Sequence, residues 1–427
     1  MTHAWSIAVV AALLTGCAWS GGADEAPPGS TSSPGDGGGV APEPLPMARI
    51  PATSRKRGVA FHYCGWPFSE GRADLEAMRP GLAWTYNWSV RPLTCADGHG
   101  VGAALGDGAP VVEFVPMAWG LVDAGARCAE GGLCFRVDER DGGAACRAVC
   151  EASGWSMEAS GGCYACLHEG ITRDEMVAEI PEGAAYLLGF NEPNFKEQAN
   201  LTPSEAARGW EHVEWVAERR ELTVVGPAVN FCDPTPGAQH PGACVEVADG
   251  APMQGFAWLE RFYDACSATG AAGRDCRIDH QAAHVYSCGG VGWYLDIMKR
   301  KAGLLPASEA HCGDGVQNED EFGVDCGGNS CAACSARARA LFARPVWLTE
   351  FAPTRGDCPG LEGDALAAQA LRFVDEAVPM LERDPYVFRY AWFMPKTDAP
   401  TLDHVDLLVE GEAGRLTPLG ERYFGIR

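Results

Sequence analysis

Basic residues are scarce in this chain of 427 residues. Lys and Arg number 33, whereas Asp and Glu number 57, so the formal net charge at pH 7 is −24. A chain this acidic repels phosphate backbones, and we therefore exclude nucleic acid as a partner. Charged residues make up only 21% of the chain and hydrophobic residues 47%. This composition is enough to bury a sizeable core and is not that of a disordered chain.

Long hydrophobic runs are also lacking. The apolar run at 7–14 is too short to cross a bilayer as a helix, but it fits the core of a signal peptide. It leads into Leu14-Thr15-Gly16-Cys17, which resembles a bacterial lipobox, although only His3 stands where a basic region is usual. The sequence therefore predicts a signal peptide over 1–16 and a lipidated Cys17. The alternative is an ordinary secretory signal with a chance cysteine.

The segment 17–56 is predicted to be a tether that starts from the lipidated Cys17. Residues 18–53 contain seven Gly and seven Pro, a composition that cannot offset its ordering entropy by burial. Ala18 stands where Asp would signal retention at the inner membrane. We expect an exported bacterial lipoprotein at the outer membrane or cell surface, held by its lipid anchor.

Eight short apolar runs recur from residue 57 onwards. They are 58–63, 83–88, 112–119, 186–192, 223–229, 281–286, 345–350 and 388–393. Helical stretches separate them at 69–78, 176–180, 204–219, 256–265, 292–301 and 364–381, the second of them opened by a capping box from Thr172 to Glu175. Nearly continuous apolar runs are typical of parallel strands buried on both faces. The pattern predicts an α/β fold over 57–427, a (β/α)8 TIM barrel, and disfavours an open doubly wound sheet, because no Gly-rich phosphate loop follows an early run.

Two of the runs end in glutamate, Glu192 on the fourth and Glu350 on the seventh. In a barrel the chemistry lies at the carboxyl ends of the strands, so these side chains would face one cleft. A pair of carboxylates across a cleft is the machinery of glycoside hydrolysis. Taken singly, a glutamate at a strand end is more often a solvated or helix-capping residue.

The motifs around both glutamates resemble glycoside hydrolases of clan A. More narrowly, the chain resembles the glycosyl hydrolase catalytic core family, glycoside hydrolase family 128, whose characterised members are endo-β-1,3-glucanases. The resembling segments occur in order: 56–61, 84–88, 114–117 with 119–120, 187–194, 226–228, 258–262, 284–286, 346–352 and 390–393.

This resemblance implies a retaining mechanism with Glu192 as acid/base and Glu350 as nucleophile. It also implies that Asn191 binds the sugar 2-hydroxyl in subsite −1 and that Tyr286 holds the nucleophile through its hydroxyl. Val285 departs from the family, which usually has Trp there, and this puts one sugar or packing contact in doubt.

Aromatic residues at the same strand ends are candidate platforms for sugar rings, because indoles are enriched where one edge stays wet. They are Tyr86, Trp88, Trp119, Trp293 and Trp392, and Asn87 is counted with the substrate-binding residues. The alternative is that these rings belong to the core. His284 is expected to line subsite −1, and we prefer this to a metal site formed with His280.

The chain has 19 cysteines, an odd number, and lipidation of Cys17 leaves 18 that can all pair in an oxidising compartment. Eight of them are predicted to join loops that are close in the barrel. The candidate pairs are Cys64 with Cys95, Cys288 with Cys358, Cys232 with Cys244, and Cys266 with Cys276.

The other ten cysteines lie in two disulfide-rich insertions, the first insertion at 128–166 and the second insertion at 312–334. Two Cys-x-x-Cys pairs, 163–166 and 331–334, could bind zinc, but an exported chain seldom keeps thiolates. The acidic residues of the second insertion could bind calcium, although their spacing does not match an EF-hand. We predict no metal and no cofactor.

The sequence as a whole predicts a monomeric, retaining hydrolase of β-glucan, with an endo-β-1,3-glucanase favoured. A clan A hydrolase or transglycosylase that acts on another polysaccharide is one alternative. A non-catalytic glycan-binding surface lipoprotein is the other, and the presence of both glutamates argues against it.

Overall fold

The computed structural model describes residues 54–61, 71–92, 112–121, 172–196, 198–231, 244–245, 255–318, 321–397 and 402–426. The predicted signal peptide, Cys17, the tether up to residue 53, and the first insertion lie outside these residues, as do Cys64, Cys95 and Cys232. Within the described part, no helix is both long and apolar enough to cross a membrane.

Eight parallel strands form a single curled sheet, and each predicted apolar run overlaps one of them. The strands are β1 (Arg57–Ala60), β2 (Trp84–Tyr86), β3 (Glu113–Phe114), β4 (Tyr186–Leu188), β5 (Thr223–Val229), β6 (His280–Tyr286), β7 (Val346–Ala352) and β8 (Val387–Trp392). Their order across the sheet is β3-β2-β1-β8-β7-β6-β5-β4, and every pairing is parallel.

The two ends of this order lie side by side. The amide of Leu188 in β4 donates to the carbonyl of Pro116 at 2.9 Å, and its carbonyl accepts from the amide of Ala118 at 2.8 Å. Met117 and Leu188 accordingly form an isolated parallel bridge just beyond β3. These bonds bring the edges of the curled sheet together, as a closed barrel requires.

Eight α-helices are present among the described residues. They are α1 (Arg72–Met78), α2 (Arg173–Glu179), α3 (Pro203–Arg219), α4 (Gly255–Ala265), α5 (Gly292–Lys301), α6 (Ala336–Phe342), α7 (Gly363–Arg383) and α8 (Pro418–Gly425). The predicted capping box is present at Thr172 and Glu175, and Thr202 and Glu205 form a second one that the sequence analysis missed. It also missed α6 and α8.

The interior at the amino ends of the strands, here called the lower end, is built around Arg389 of β8. Its guanidinium carbon lies 4.8–5.7 Å from the ring centroids of Trp84, Tyr186, Trp347 and Phe388. One guanidinium nitrogen is also 2.6 Å from a carboxylate oxygen of Glu113. The positive charge is therefore both paired and stacked at this end.

The two predicted cysteine pairs that can be followed are both bonded: Cys266 with Cys276 and Cys288 with Cys358. Cys244 is bonded as well. In the second insertion the bonds are Cys312 to Cys331 and Cys326 to Cys334. Because Cys331 and Cys334 each belong to a disulfide, the zinc alternative for that pair is wrong.

The second insertion is attached to the helices outside the sheet. Glu260 of α4 and Lys301 of α5 form a buried ion pair at 2.8 Å. The other oxygen of Glu260 accepts from the amide of Cys334 at 2.6 Å, and Lys301 also lies 4.9 Å from the ring of Phe322. This buried pair thus anchors the insertion to the barrel.

Candidate active site

Glu192 follows β4 and is fixed by its own backbone. Its amide donates to the carbonyl of Ala228 in β5 at 2.8 Å, and the amide of Asn191 donates to the carbonyl of Trp119 at 2.8 Å. Gly189 allows α3 to approach closely, since a Cβ there would lie 2.5 Å from the ring of Trp210. Glu192 has a φ of 41°, a left-handed conformation that costs energy for a residue other than glycine. The strand end therefore holds this buried carboxyl in a defined place.

Glu350 lies within β7 and accepts three side-chain hydrogen bonds. The hydroxyl of Tyr286 donates to Oε2 at 2.5 Å. The indole of Trp88 donates to Oε1 at 2.8 Å, and the hydroxyl of Tyr86 donates to the same oxygen at 3.0 Å. Trp88 also has a left-handed φ, 58°. Donors aimed at both oxygens stabilise the ionised form of this carboxyl.

His284 of β6 lies between the two carboxyls. Its Nδ1 is 2.7 Å from Oε1 of Glu192 and 3.3 Å from Oε2 of Glu350, and all three side chains are buried. One oxygen of each carboxyl and the imidazole nitrogen all lie within 4.8 Å of one another. One histidine thus faces both carboxyls at once.

Burial and mutual charge set the titration of this group. Burial acts to lower the pKa of His284, but the charges of Glu350 and Glu192 and the hydrogen bond to Glu192 outweigh it, so the pKa of His284 is raised. Burial raises the pKa of Glu350, and so does the charge of Glu192, against the opposing effects of His284, Tyr286 and Trp88. The protonation of His284 and that of Glu350 are therefore linked.

Asn230, directly after β5, is a site residue that the sequence analysis missed. Its carboxamide nitrogen donates to Oε1 of Glu192 at 2.8 Å. The available signal was its position, since it is a polar residue that directly follows a buried strand at its carboxyl end.

Oδ1 of Asn191 and Nε2 of His284 have no hydrogen-bond partner among the described residues. The carboxamide nitrogen of Asn191 donates to Gln198 at 3.1 Å, which fixes how the amide faces. Both atoms are therefore available for hydroxyl groups of a ligand.

Four of the predicted platform residues fall into two groups by burial. Trp88 and Trp293 are half-buried and keep part of their rings exposed. Tyr86 and Trp119 are buried, and Tyr86 acts as a hydrogen-bond donor to Glu350. Asn87 is also buried and donates to the carbonyl of Arg91 at 3.1 Å.

Trp392, a predicted platform for a sugar ring, is not exposed. Its ring is fully buried, and its indole nitrogen donates to the carbonyl of Val405 at 2.9 Å. The ring packs edge-on against Phe351 and Phe373, with centroids 5.2 and 6.0 Å away. It belongs to the core and offers no face to a sugar.

Glu192, His284 and Glu350 also present a donor set that a divalent cation could use. The 2.7 Å contact between His284 and Glu192 is that of a hydrogen bond, and it is shorter than the separation of about 3.3 Å expected for two ligands around one tetrahedral zinc ion. The arrangement therefore fits proton sharing better than metal ligation.

The model of the glycosyl hydrolase catalytic core family matches residues 167–306 and 331–423, together more than half of the chain. The gap between the two matched stretches contains most of the second insertion.

Two solved structures are similar over most of their length. Both are endo-β-1,3-glucanases of glycoside hydrolase family 128, subgroup II. The enzyme from Sorangium cellulosum is 27% identical, with a TM-score of 0.51, over 87% of this chain and 98% of its own. The enzyme from Pseudomonas viridiflava is 26% identical, with the same TM-score, over 88% of this chain and 99% of its own.

A curated relative, alkali-sensitive linkage protein 1 of Schizosaccharomyces pombe, is 24% identical over 249 residues, or 56% of this chain. The match spans about a third of that protein, 33% of its length. Taken with the family match and the paired carboxyls, these likenesses lead to one conclusion: the chain belongs to the glycosyl hydrolase catalytic core family and is a glycoside hydrolase.

Proposed function

We propose that the protein is a retaining endo-β-1,3-glucanase in which Glu350 is the nucleophile and Glu192 the acid/base. The observation that carries the mechanism is the short distance between the carboxyls, whose facing oxygens lie within 4.8 Å. Retaining enzymes place their carboxyls about 5 Å apart, whereas inverting enzymes need more than about 6.5 Å to admit a water molecule. The proposed substrate is supported by the two similar solved structures, which are both endo-β-1,3-glucanases.

The roles follow from the surroundings of each carboxyl. Glu350 accepts hydrogen bonds on both oxygens, and these favour the ionised form that attacks the anomeric carbon, against the burial that raises its pKa. Glu192 then gives its proton to the departing glycosidic oxygen, and a covalent glycosyl–enzyme ester forms. In the second step Glu192 takes a proton from water, the water oxygen bonds to the anomeric carbon, and Glu350 leaves as a carboxylate.

Asn191 and His284 supply the unpartnered atoms that would bind the sugar in subsite −1. The buried and unpartnered Oδ1 of Asn191 would accept from a hydroxyl, in line with the proposed contact to the 2-hydroxyl. The half-buried indole of Trp88 borders the same space and holds the nucleophile as well. Contacts of this kind lower the barrier when they strengthen in the oxocarbenium-like transition state.

The experiment is hydrolysis of laminarin, lichenan, cellulose, chitin and xylan by the wild-type protein and by Glu350→Gln. We expect release of sugar from laminarin, with the β-anomer first in a proton NMR time course, and loss of at least about a thousand-fold in rate for the variant. Glu113→Gln, a carboxyl on β3 at the lower end, is the matched control and should retain turnover. Cleavage of chitin alone would overturn the substrate, an α-anomer first would overturn retention, and an active Glu350→Gln would overturn the nucleophile.

We further propose that the curled sheet is a closed (β/α)8 barrel and that the chain is an exported lipoprotein anchored through Cys17. The pair of hydrogen bonds at Leu188 supports the closure. The lipobox-like Leu14-Thr15-Gly16-Cys17 supports the anchor. Cys17→Ser should move the protein from the detergent phase to the aqueous phase, and unchanged partitioning would contradict the anchor.

A further inference from the structure

We propose that Asn230 is the positioning residue of the acid/base and that it assigns the catalytic proton to Oε2 of Glu192. The inference rests on the proposed function, and it adds a residue and an atom to that mechanism. It begins from Oε1 of Glu192, which faces two nitrogens, Asn230 Nδ2 at 2.8 Å and His284 Nδ1 at 2.7 Å.

Asn230 donates to Oε1, and His284 donates to it as well when Nδ1 carries a proton, so Oε1 is the oxygen that carries the negative charge. A proton on Oε1 would point at the hydrogens of Asn230 and His284, which is repulsive. The proton of Glu192 in its acid form therefore resides on Oε2, the oxygen left to meet the substrate.

The orientation of the Asn230 amide is fixed by its own neighbours. Its Oδ1 accepts from the amide of Phe231 at 2.7 Å, so its nitrogen must face Glu192. Asn194 binds the backbone of Asn230 from both sides, accepting from its amide at 3.2 Å and donating to its carbonyl at 2.8 Å. The start of α4 packs on the same carbonyl, since a Cβ at Gly255 would lie 2.5 Å from it. Four contacts thus hold a single donor in place.

Asn230 acts on the acid/base, whereas the donors to the nucleophile come from elsewhere. The hydroxyls and indole bound to Glu350 belong to Tyr86, Trp88 and Tyr286. His284 touches both carboxyls and cannot separate their roles. Removing the Asn230 donor should loosen the orientation of Glu192. It should also make Glu192 a weaker acid, because its carboxylate form loses a stabilising hydrogen bond.

The test is a comparison of leaving groups with Asn230→Ala. For laminarin, whose leaving group needs a proton, we expect kcat/KM to fall about 10- to 100-fold. For a dinitrophenyl β-glycoside, whose leaving group needs none, we expect a fall of less than about threefold. The alkaline limb of the pH profile of kcat/KM should shift to higher pH by about one unit. Equal losses on both substrates, or an unmoved alkaline limb, would overturn the proposal.

A matched control is Gln281→Ala, three residues before His284 on the same strand. Gln281 is buried like Asn230, but its carboxamide nitrogen donates to the carbonyls of Phe342 and Arg344, away from the carboxyls. Its loss should lower stability and leave the ratio of the two substrates unchanged. The isosteric Asn230→Asp, which keeps the bond from Phe231 and lacks the donor, serves if the alanine variant does not fold.

A second readout does not depend on the substrate. In protein labelled with ¹³C at glutamate carboxyls, the signal lost in Glu192→Gln identifies Glu192. Its titration midpoint should rise by about one unit in Asn230→Ala or Asn230→Asp. Unchanged midpoints would overturn the role of Asn230. If the wild-type protein leaves β-1,3-glucan intact, the proposed substrate fails while this titration still decides the inference.

Discussion

The two ends of the interior of the curled sheet differ in how their buried charges are paired. At the lower end Arg389 meets Glu113 at 2.6 Å and is surrounded by aromatic rings. At the active-site end two carboxyls face one histidine, so like charges lie within 4.8 Å of each other. The ion pair at the lower end stabilises the fold. The two neighbouring carboxyls at the active-site end destabilise it, but their affinity for protons is what the proposed acid–base chemistry needs. The same strands therefore carry structure at one end and reactivity at the other.

Among the variants that compare the two ends, the largest effect is expected from the loss of one donor at the active-site end. Tyr286→Phe removes the hydroxyl bonded to Oε2 of Glu350, and we expect kcat to fall about 100-fold, because a fixed donor is lost where charge changes. That hydrogen bond also lowers the pKa of Glu350, so its loss raises this pKa further. Since the nucleophile must be ionised, the acid limb of activity should move to higher pH.

The matched control for this variant lies at the lower end. Tyr386 donates its hydroxyl to the carbonyl of Phe342, and Tyr386→Phe should leave kcat within about twofold and the acid limb in place. Equal losses of kcat in the two variants would abolish the distinction between the ends.

A smaller effect, on stability alone, is expected at the lower end. Arg389→Met removes the partner of Glu113 and the stacked cation, and we expect about 2 kcal/mol less stability in urea unfolding. The kcat of the folded variant should be unchanged, because the substitution lies at the far ends of the strands. A large fall in kcat without loss of stability would contradict this assignment.

The smallest effect concerns a buried carboxyl that does not contact the catalytic pair. Burial raises the pKa of Asp406 from 3.8 to about 9. Because the folded state holds this proton more tightly, the stability it contributes is present below about pH 4 and is lost as the pH rises toward 9. Asp406→Asn, which cannot ionise, should therefore raise the Tm by a few degrees at pH 8 and by less at pH 5. An equal change at both pH values would contradict the assigned pKa.

Much of the fold could be predicted from the sequence, because parallel strands buried on both faces leave a strong signal. All eight apolar runs overlap a strand, and the capping box at Thr172 opens a helix as expected. The boundaries differ most for β3, where the run 112–119 contains a strand of two residues. Hydrophobicity predicts which residues are buried, whereas backbone hydrogen bonding determines where a strand begins and ends.

The site was harder to predict, because its residues come together only in three dimensions. Glu192 and Glu350 could be found, since each stands out as a charge at the end of an apolar run. Asn230 could not, because an amide after a strand is common and its partner is 38 positions away. Tyr86, Trp119 and Trp392 were candidate sugar platforms and are buried, because composition does not tell which rings point into the core.

The bond between Cys288 and Cys358 has a consequence for how the enzyme would come apart. The two cysteines are 70 positions apart and enclose the whole second insertion, whose Val316 and Val324 are exposed. A single proteolytic cut there would place Glu192 on one fragment and Glu350 on the other. The disulfide would still tie the fragments together, so the nicked enzyme would run as one species on a gel until a reductant separated its two catalytic halves.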